Sequence, residues 1–190
     1  MADSVIIPHI IGTTAIIVLF FTMATFWNGY FTNLNVQAYK AQLGQVADYF
    51  TSNLNDLIAL SKITAGDLFL VNEMKVPSII GEKLYNISLI KTLAPDGNKQ
   101  IISVTTSIAS LNIYAVSELM WSPDLNIQIY SNQSIPDAAL HNATLSKYLL
   151  SDAALSEAAR TRGNASIVVW CSKTNDVTVI GLGVKDNPGG

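Results

Sequence analysis

From Val5 to Trp27 the chain reads VIIPHIIGTTAIIVLFFTMATFW, and between Asp3 and Lys40 there is no Asp, Glu, Lys or Arg. A helix needs about 20 residues, each rising about 1.5 Å, to cross a hydrocarbon core of roughly 30 Å. This stretch supplies them, and a helix that is apolar all round must be enclosed by protein or by lipid. Residues 1–31 are therefore read as a transmembrane helix. Phe26, Trp27, Tyr30 and Phe31 cluster where an interfacial aromatic belt belongs. A cleavable signal peptide ending near Thr22-Met-Ala24 fits less well, because no basic segment precedes the apolar run and the run is long for that role.

The helical pattern does not stop at the end of the span. Val36, Tyr39, Leu43, Val46, Phe50, Leu54, Leu57 and Leu60 recur at steps of three and four, which predicts an amphipathic helical extension over 32–65. No proline falls between His9 and Ala65. Gly12, Gly29 and Gly44 each weaken a helix by about 1 kcal/mol relative to Ala, and Asn28-Gly29 is the expected bend. Such a stripe needs cover, either from the chain's own β domain or from neighbouring copies. The candidate helix-packing residues are Ile6, Ile10, Ile17 and Phe20 in the span, then Val36, Leu43, Val46, Phe50, Leu54 and Leu57 along the stripe. If neighbouring copies supply the cover, Val46→Asp or Phe50→Asp blocks assembly and leaves the β domain folded.

Beyond Ala65-Gly66 the period changes to two, and residues 66–190 read as a β-rich domain. Leu84 to Ile90 pairs with Gln100 to Ile108 across the turn signal Ala94-Pro-Asp-Gly-Asn98, with Tyr85, Ile87 and Leu89 on one face. Asn112 to Ser117 and Leu125 to Tyr130 read as further strands. Asp67 and Glu73 flank an apolar run and read as solubilising or turn residues. Residues 135–163 read as a helical insertion: Pro136 suits a first turn, Ser151 or Asp152 a cap, and Arg160, Arg162 and Gly163 a C-terminal end. A last hairpin joins Ser166–Ser172 to Val177–Val184 through Lys173-Thr-Asn-Asp176. The expected fold class is α+β, with a long N-terminal transmembrane and amphipathic helix followed by an antiparallel β-rich head with a helical insertion.

The remaining residues offer little chemistry. Charged residues are 13% of the chain, against about 25% in a typical soluble domain, and the net charge is −3, so no basic surface awaits phosphates and nucleic acid is not an expected partner. Cys171 is the single cysteine and reads as a small buried hydrophobe in a strand. His9 and His141 are remote from each other, and Asp48 and Asp56 read as solvated carboxylates on the polar side of the long helix. Gly181-Leu-Gly183 lies in a strand with no helix after it, so it marks a close backbone approach or a bulge and not a phosphate loop. No catalytic residue, metal site or cofactor is expected, and the chain is read as non-enzymatic.

Sequons at Asn86, Asn132, Asn142 and Asn164 all fall beyond the long helix and are candidate glycosylation sites. They favour a location of the C-terminal domain outside the cell. The sparse cations after the span, Lys40 and Lys62, would by the positive-inside rule point weakly the other way.

The layout of an apolar span merging into an amphipathic helix and a β-rich head resembles archaeal type IV pilin-like proteins. Val76-Pro-Ser-Ile-Ile-Gly81 followed by Tyr85-Asn-Ile87-Ser-Leu89 is similar to the link from helix to first strand in such ectodomains. Val179-Ile-Gly-Leu-Gly183 is similar to their closing strand. Met1-Ala-Asp-Ser4 has no basic residue, unlike the leader that precedes the hydrophobic segment in prepilins of this class. The resemblance implies a cell-surface structural protein, either a filament subunit or an anchored component of a surface assembly. Its partners would be the lipid bilayer and copies of itself or related pilin-like subunits, met through the N-terminal helix. The alternative from another class is a membrane-anchored extracellular sensing or ligand-binding domain working with a membrane partner.

Overall fold

The computed structural model describes residues 3–77, 79–93, 100–121, 125–130, 149–150, 154–155, 165–175 and 177–186. A helix, α1 (Asp3–Ile63), precedes the strands β1 (Leu68–Met74), β2 (Asn86–Leu93), β3 (Gln100–Ile108), β4 (Ile113–Glu118), β5 (Asn126–Ile129), β6 (Leu149–Leu150), β7 (Ala154–Leu155), β8 (Ala165–Thr174) and β9 (Val177–Asp186). The class is α+β: one long apolar N-terminal helix followed by antiparallel and mixed sheets. The chain falls into two compact units, Met1–Ala38 and Tyr39–Gly190. The second unit therefore contains the last part of α1 as well as the strands.

The helix assignment continues through Asn28-Gly29 without a break. It ends at Ile63, and Gly66 shortly after takes a φ of +91°, a conformation that costs glycine little. Carbonyls at and just beyond the helix end are taken up by a cation from the sheet: Lys173 Nζ donates to the carbonyls of Ser61 at 3.2 Å and Thr64 at 3.0 Å. A positive charge at this end also suits the helix dipole.

In the second unit the stripe of α1 forms part of the core. Leu43, Ala47, Phe50 and Leu54 are completely buried, with Val46, Leu57 and Ile58 nearly so. Polar bonds fix this part of the helix to both sheets. On one side Thr106 Oγ1 donates to the Leu43 carbonyl (3.0 Å), Thr51 Oγ1 donates to the Ser117 carbonyl (3.4 Å) and the Met120 N–H donates to Asn55 Oδ1 (3.1 Å). On the other, Asn72 Nδ2 donates to Asn53 Oδ1 at 2.6 Å.

The first sheet has the order β1-β8-β9-β5, with β6 also pairing β9; β5 runs parallel to β9 and the other pairings are antiparallel. The second is antiparallel, in the order β4-β3-β2-β7. At the centre of the first, Ile167 to Cys171 are all buried, which is why this strand reads as an unbroken apolar run without alternation. In the second sheet the alternation is clear: Tyr85, Ile87 and Leu89 are buried on the face toward the core. The Tyr85 hydroxyl donates to the Pro77 carbonyl at 2.6 Å. Ahead of it, Gly81 and Glu82 have φ of +52° and +64° between the paired residues Ile80 and Lys83, the backbone pattern of a type I′ turn.

One sequence expectation is corrected here. Leu149–Leu150 and Ala154–Leu155, inside the expected helical insertion, are strands: Leu150 pairs with Gly183 and Leu155 with Ile87. Pairing with strands distant in the chain overrides the local helical signal there, and the rest of 135–163 lies outside the described residues. The apolar run flanked by Asp67 and Glu73, for which the sequence carries no strand signal, is β1, an edge strand on β8.

Candidate functional site: the charge-free helix of the N-terminal unit

From His9 to Leu34 every side chain of α1 is exposed. Ile10, Ile17 and Phe20 are among them, at 58%, 50% and 68%. Ile6 lies outside the residues whose side chains are described. Among the described residues, α1 is the one helix long and apolar enough to cross a membrane, and its most apolar stretch is not buried by the rest of the chain.

The polar groups of this segment are turned back on the helix. Thr13 and Thr14 donate their hydroxyls to the carbonyls of His9 and Ile10 (2.8 and 2.9 Å). Thr22 donates to Leu19 (2.8 Å), Thr25 to Phe21 and Thr22 (3.1 and 2.9 Å), and Thr32 to Asn28 (2.8 Å). A hydroxyl satisfied by a carbonyl three or four residues earlier makes no demand on its surroundings. Small side chains at Thr14, Ala15 and Thr22 leave an open groove bordered by Ile10, Val18 and Leu19. One end of the segment carries an aromatic cluster: Trp27 stacks on Phe31 with ring centroids 5.8 Å apart and meets Tyr30 edge-on at 6.2 Å.

The other sequence-predicted packing residues are placed differently. Val36 is half-buried. Leu43, Val46, Phe50, Leu54 and Leu57 are covered by the chain's own sheets. This corrects the expectation that Val46→Asp or Phe50→Asp would leave the head folded, since both side chains belong to its core. Of the sequons, Asn86 is half-buried at the start of β2 with its Oδ1 buried and without a hydrogen-bond partner; Asn132, Asn142 and Asn164 lie outside the described residues.

Elsewhere the chemistry is sparse. Among the described residues no group of three or more His, Cys, Asp or Glu is placed to hold a metal ion. Burial pushes the Cys171 thiol up to about 11, with a side-chain hydrogen bond involving Ser61 as the smaller, opposing cause, so the thiol stays neutral and unreactive near pH 7. No protein-family model matches the chain, and no curated protein or solved structure does either.

Proposed function

We propose that this chain is a non-enzymatic, membrane-anchored structural protein of the cell surface, built on the pilin-like plan. Residues 9–34 lie in the bilayer or in a bundle of like helices, and the β head stands outside the cell. One observation carries the reading: from His9 to Leu34 α1 is exposed, apolar and without Asp, Glu, Lys or Arg, yet from Leu43 onward its stripe is already used by the head. The residues still in need of a partner are thus the N-terminal ones, which narrows the packing face to Ile10, Ile17, Phe20 and their neighbours.

Lipid tails offer such a helix no hydrophobic drive to associate, so helix pairing there relies on close backbone approach and van der Waals contact. The groove at Thr14, Ala15 and Thr22 suits that role, and the aromatic cluster at Trp27, Tyr30 and Phe31 suits the headgroup level. Electron microscopy of sheared surface material, with mass spectrometry of the N-terminus, tests the function. Fibres containing this chain establish a filament subunit, recovery only from detergent-solubilised membranes an anchored component, and recovery as a free soluble protein overturns both.

A further inference from the structure

Strand β4 forms an outer edge of the second sheet among the described residues, and apart from Glu118 at its end it carries none of the features that usually block an edge. The register with β3 is constant from Ile113↔Ile108 to Glu118↔Ser103, and just beyond it the Leu119 N–H donates to the Ile102 carbonyl at 2.9 Å. In an antiparallel ladder the hydrogen-bonding direction alternates by residue. Ile113, Ala115 and Ser117 therefore turn their backbone groups toward β3, while Tyr114, Val116 and Glu118 turn theirs to the free side. No backbone bond joins those three residues to any other described residue on that side. Tyr114 and Val116 are also exposed through their side chains, at 65% and 52%.

Other edges among the described residues are protected. β5 and β7 are four and two residues long. On β1 the side chain of Asn72 is bonded to Asn53 of α1. β4 has six residues with no proline, glycine or lysine.

We propose that β4 is an association edge at which a second copy of this chain adds its own β4, antiparallel about a twofold axis through Val116. This register bonds every free backbone group on the edge, since Val116 then faces Val116 of the second copy and Tyr114 faces its Glu118. The phenol hydroxyl of Tyr114 is set beside a carboxylate, and the two glutamates stay apart. A register placing Glu118 opposite Glu118 sets like charges against each other. Between the hydrogen-bonded pairs, Ala115 faces Ser117 of the second copy at the closest backbone approach of an antiparallel ladder, where small side chains fit. The contact lies in the head and is separate from helix packing in the N-terminal unit.

The test is cysteine cross-linking of the full chain in detergent or vesicles with a short bis-maleimide; the native Cys171, 1% exposed, contributes little background. The proposal expects Val116→Cys to cross-link to itself about tenfold faster than Tyr114→Cys does, and Tyr114→Cys mixed with Glu118→Cys to match the faster rate. Val116→Pro removes an N–H that faces away from β3, so it should leave the head folded by circular dichroism. It should lower the dimer association constant about tenfold through the loss of edge hydrogen bonds. Equal cross-linking rates at 114 and 116, or a Val116→Pro variant that associates like the wild type, would overturn the twofold edge contact. Association through the helices alone gives the first of these results, so it is distinguished from the edge contact.

Discussion

Gly181 sits directly opposite Trp170 in the β8–β9 ladder, and a Cβ at Gly181 would overlap the indole at Cζ2 and Cε2. The ring is held in place by Tyr130, edge-on with centroids 5.4 Å apart, and by Phe69 at 6.0 Å. Glycine here serves a close approach between a backbone and a large aromatic side chain. Gly181→Ala is expected to destabilise the head by about 1–3 kcal/mol, read from chemical unfolding. Trp170→Leu in the same chain should recover part of the loss. Additive costs would mean that the ring does not press on this glycine.

Phe50 and Phe20 lie on one helix in opposite circumstances, 0% and 68% exposed. Phe50→Asp puts a carboxylate into the core and should cost more than about 4 kcal/mol, abolishing the cooperative unfolding of the head. Phe20→Asp should leave that unfolding unchanged and weaken membrane retention. The comparison is made by circular dichroism on detergent-purified variants, and equal effects on the head would contradict the division of the helix.

Much of this arrangement is legible in the sequence because its signals are local. The β2–β3 pair flanks Ala94-Pro-Asp-Gly-Asn98, and the β8–β9 pair turns close to Asn175, whose φ of +48° asparagine tolerates well. Alternation at Tyr85, Ile87 and Leu89 correctly gives the buried face. What local pattern cannot give is pairing at a distance. β1 is a strand because β8, roughly a hundred residues later, pairs with it, and β5 joins β9 in parallel across a similarly unsignalled gap. The stripe from Leu43 to Leu57 had two possible covers by periodicity alone, and only the placement of the sheets chooses between them. For the candidate site, the absence of charge between Asp3 and Lys40 carried nearly all the information; the small-residue groove emerges only from the helix geometry.

Glu82 occupies a left-handed conformation beside Gly81, with φ of +64°. Such a conformation costs a non-glycine residue roughly 1–2 kcal/mol, and asparagine less. Glu82→Asn should raise the stability of the head by about 0.5–1 kcal/mol, measured as an increase in the denaturant midpoint at constant slope. A decrease would show that the Glu82 side chain has a compensating role.

The buried Cys171 thiol predicts a specific alkaline weakness. Its folded value of about 11 exceeds the ordinary 9.0, so the native state keeps a proton that the unfolded chain gives up. The stabilisation is fully present below pH 9 and is lost as pH rises toward about 11. Cys171→Val lacks this titration. The stability of wild type relative to the variant should therefore fall by on the order of 2–3 kcal/mol between pH 8 and pH 11, and a constant difference would contradict the burial of the thiol.

The central claim is that residues 9–34 hold the intact chain in a lipid bilayer or in a bundle of like helices. Alkaline carbonate extraction of membranes from cells producing the full chain tests it most directly, with the N-terminus of the recovered protein read by mass spectrometry. The account predicts that the chain stays in the membrane pellet, is released only by detergent and retains the segment from His9 to Leu34. A chain that appears in the carbonate supernatant as free, unassembled protein, or that is recovered without this segment, would contradict it.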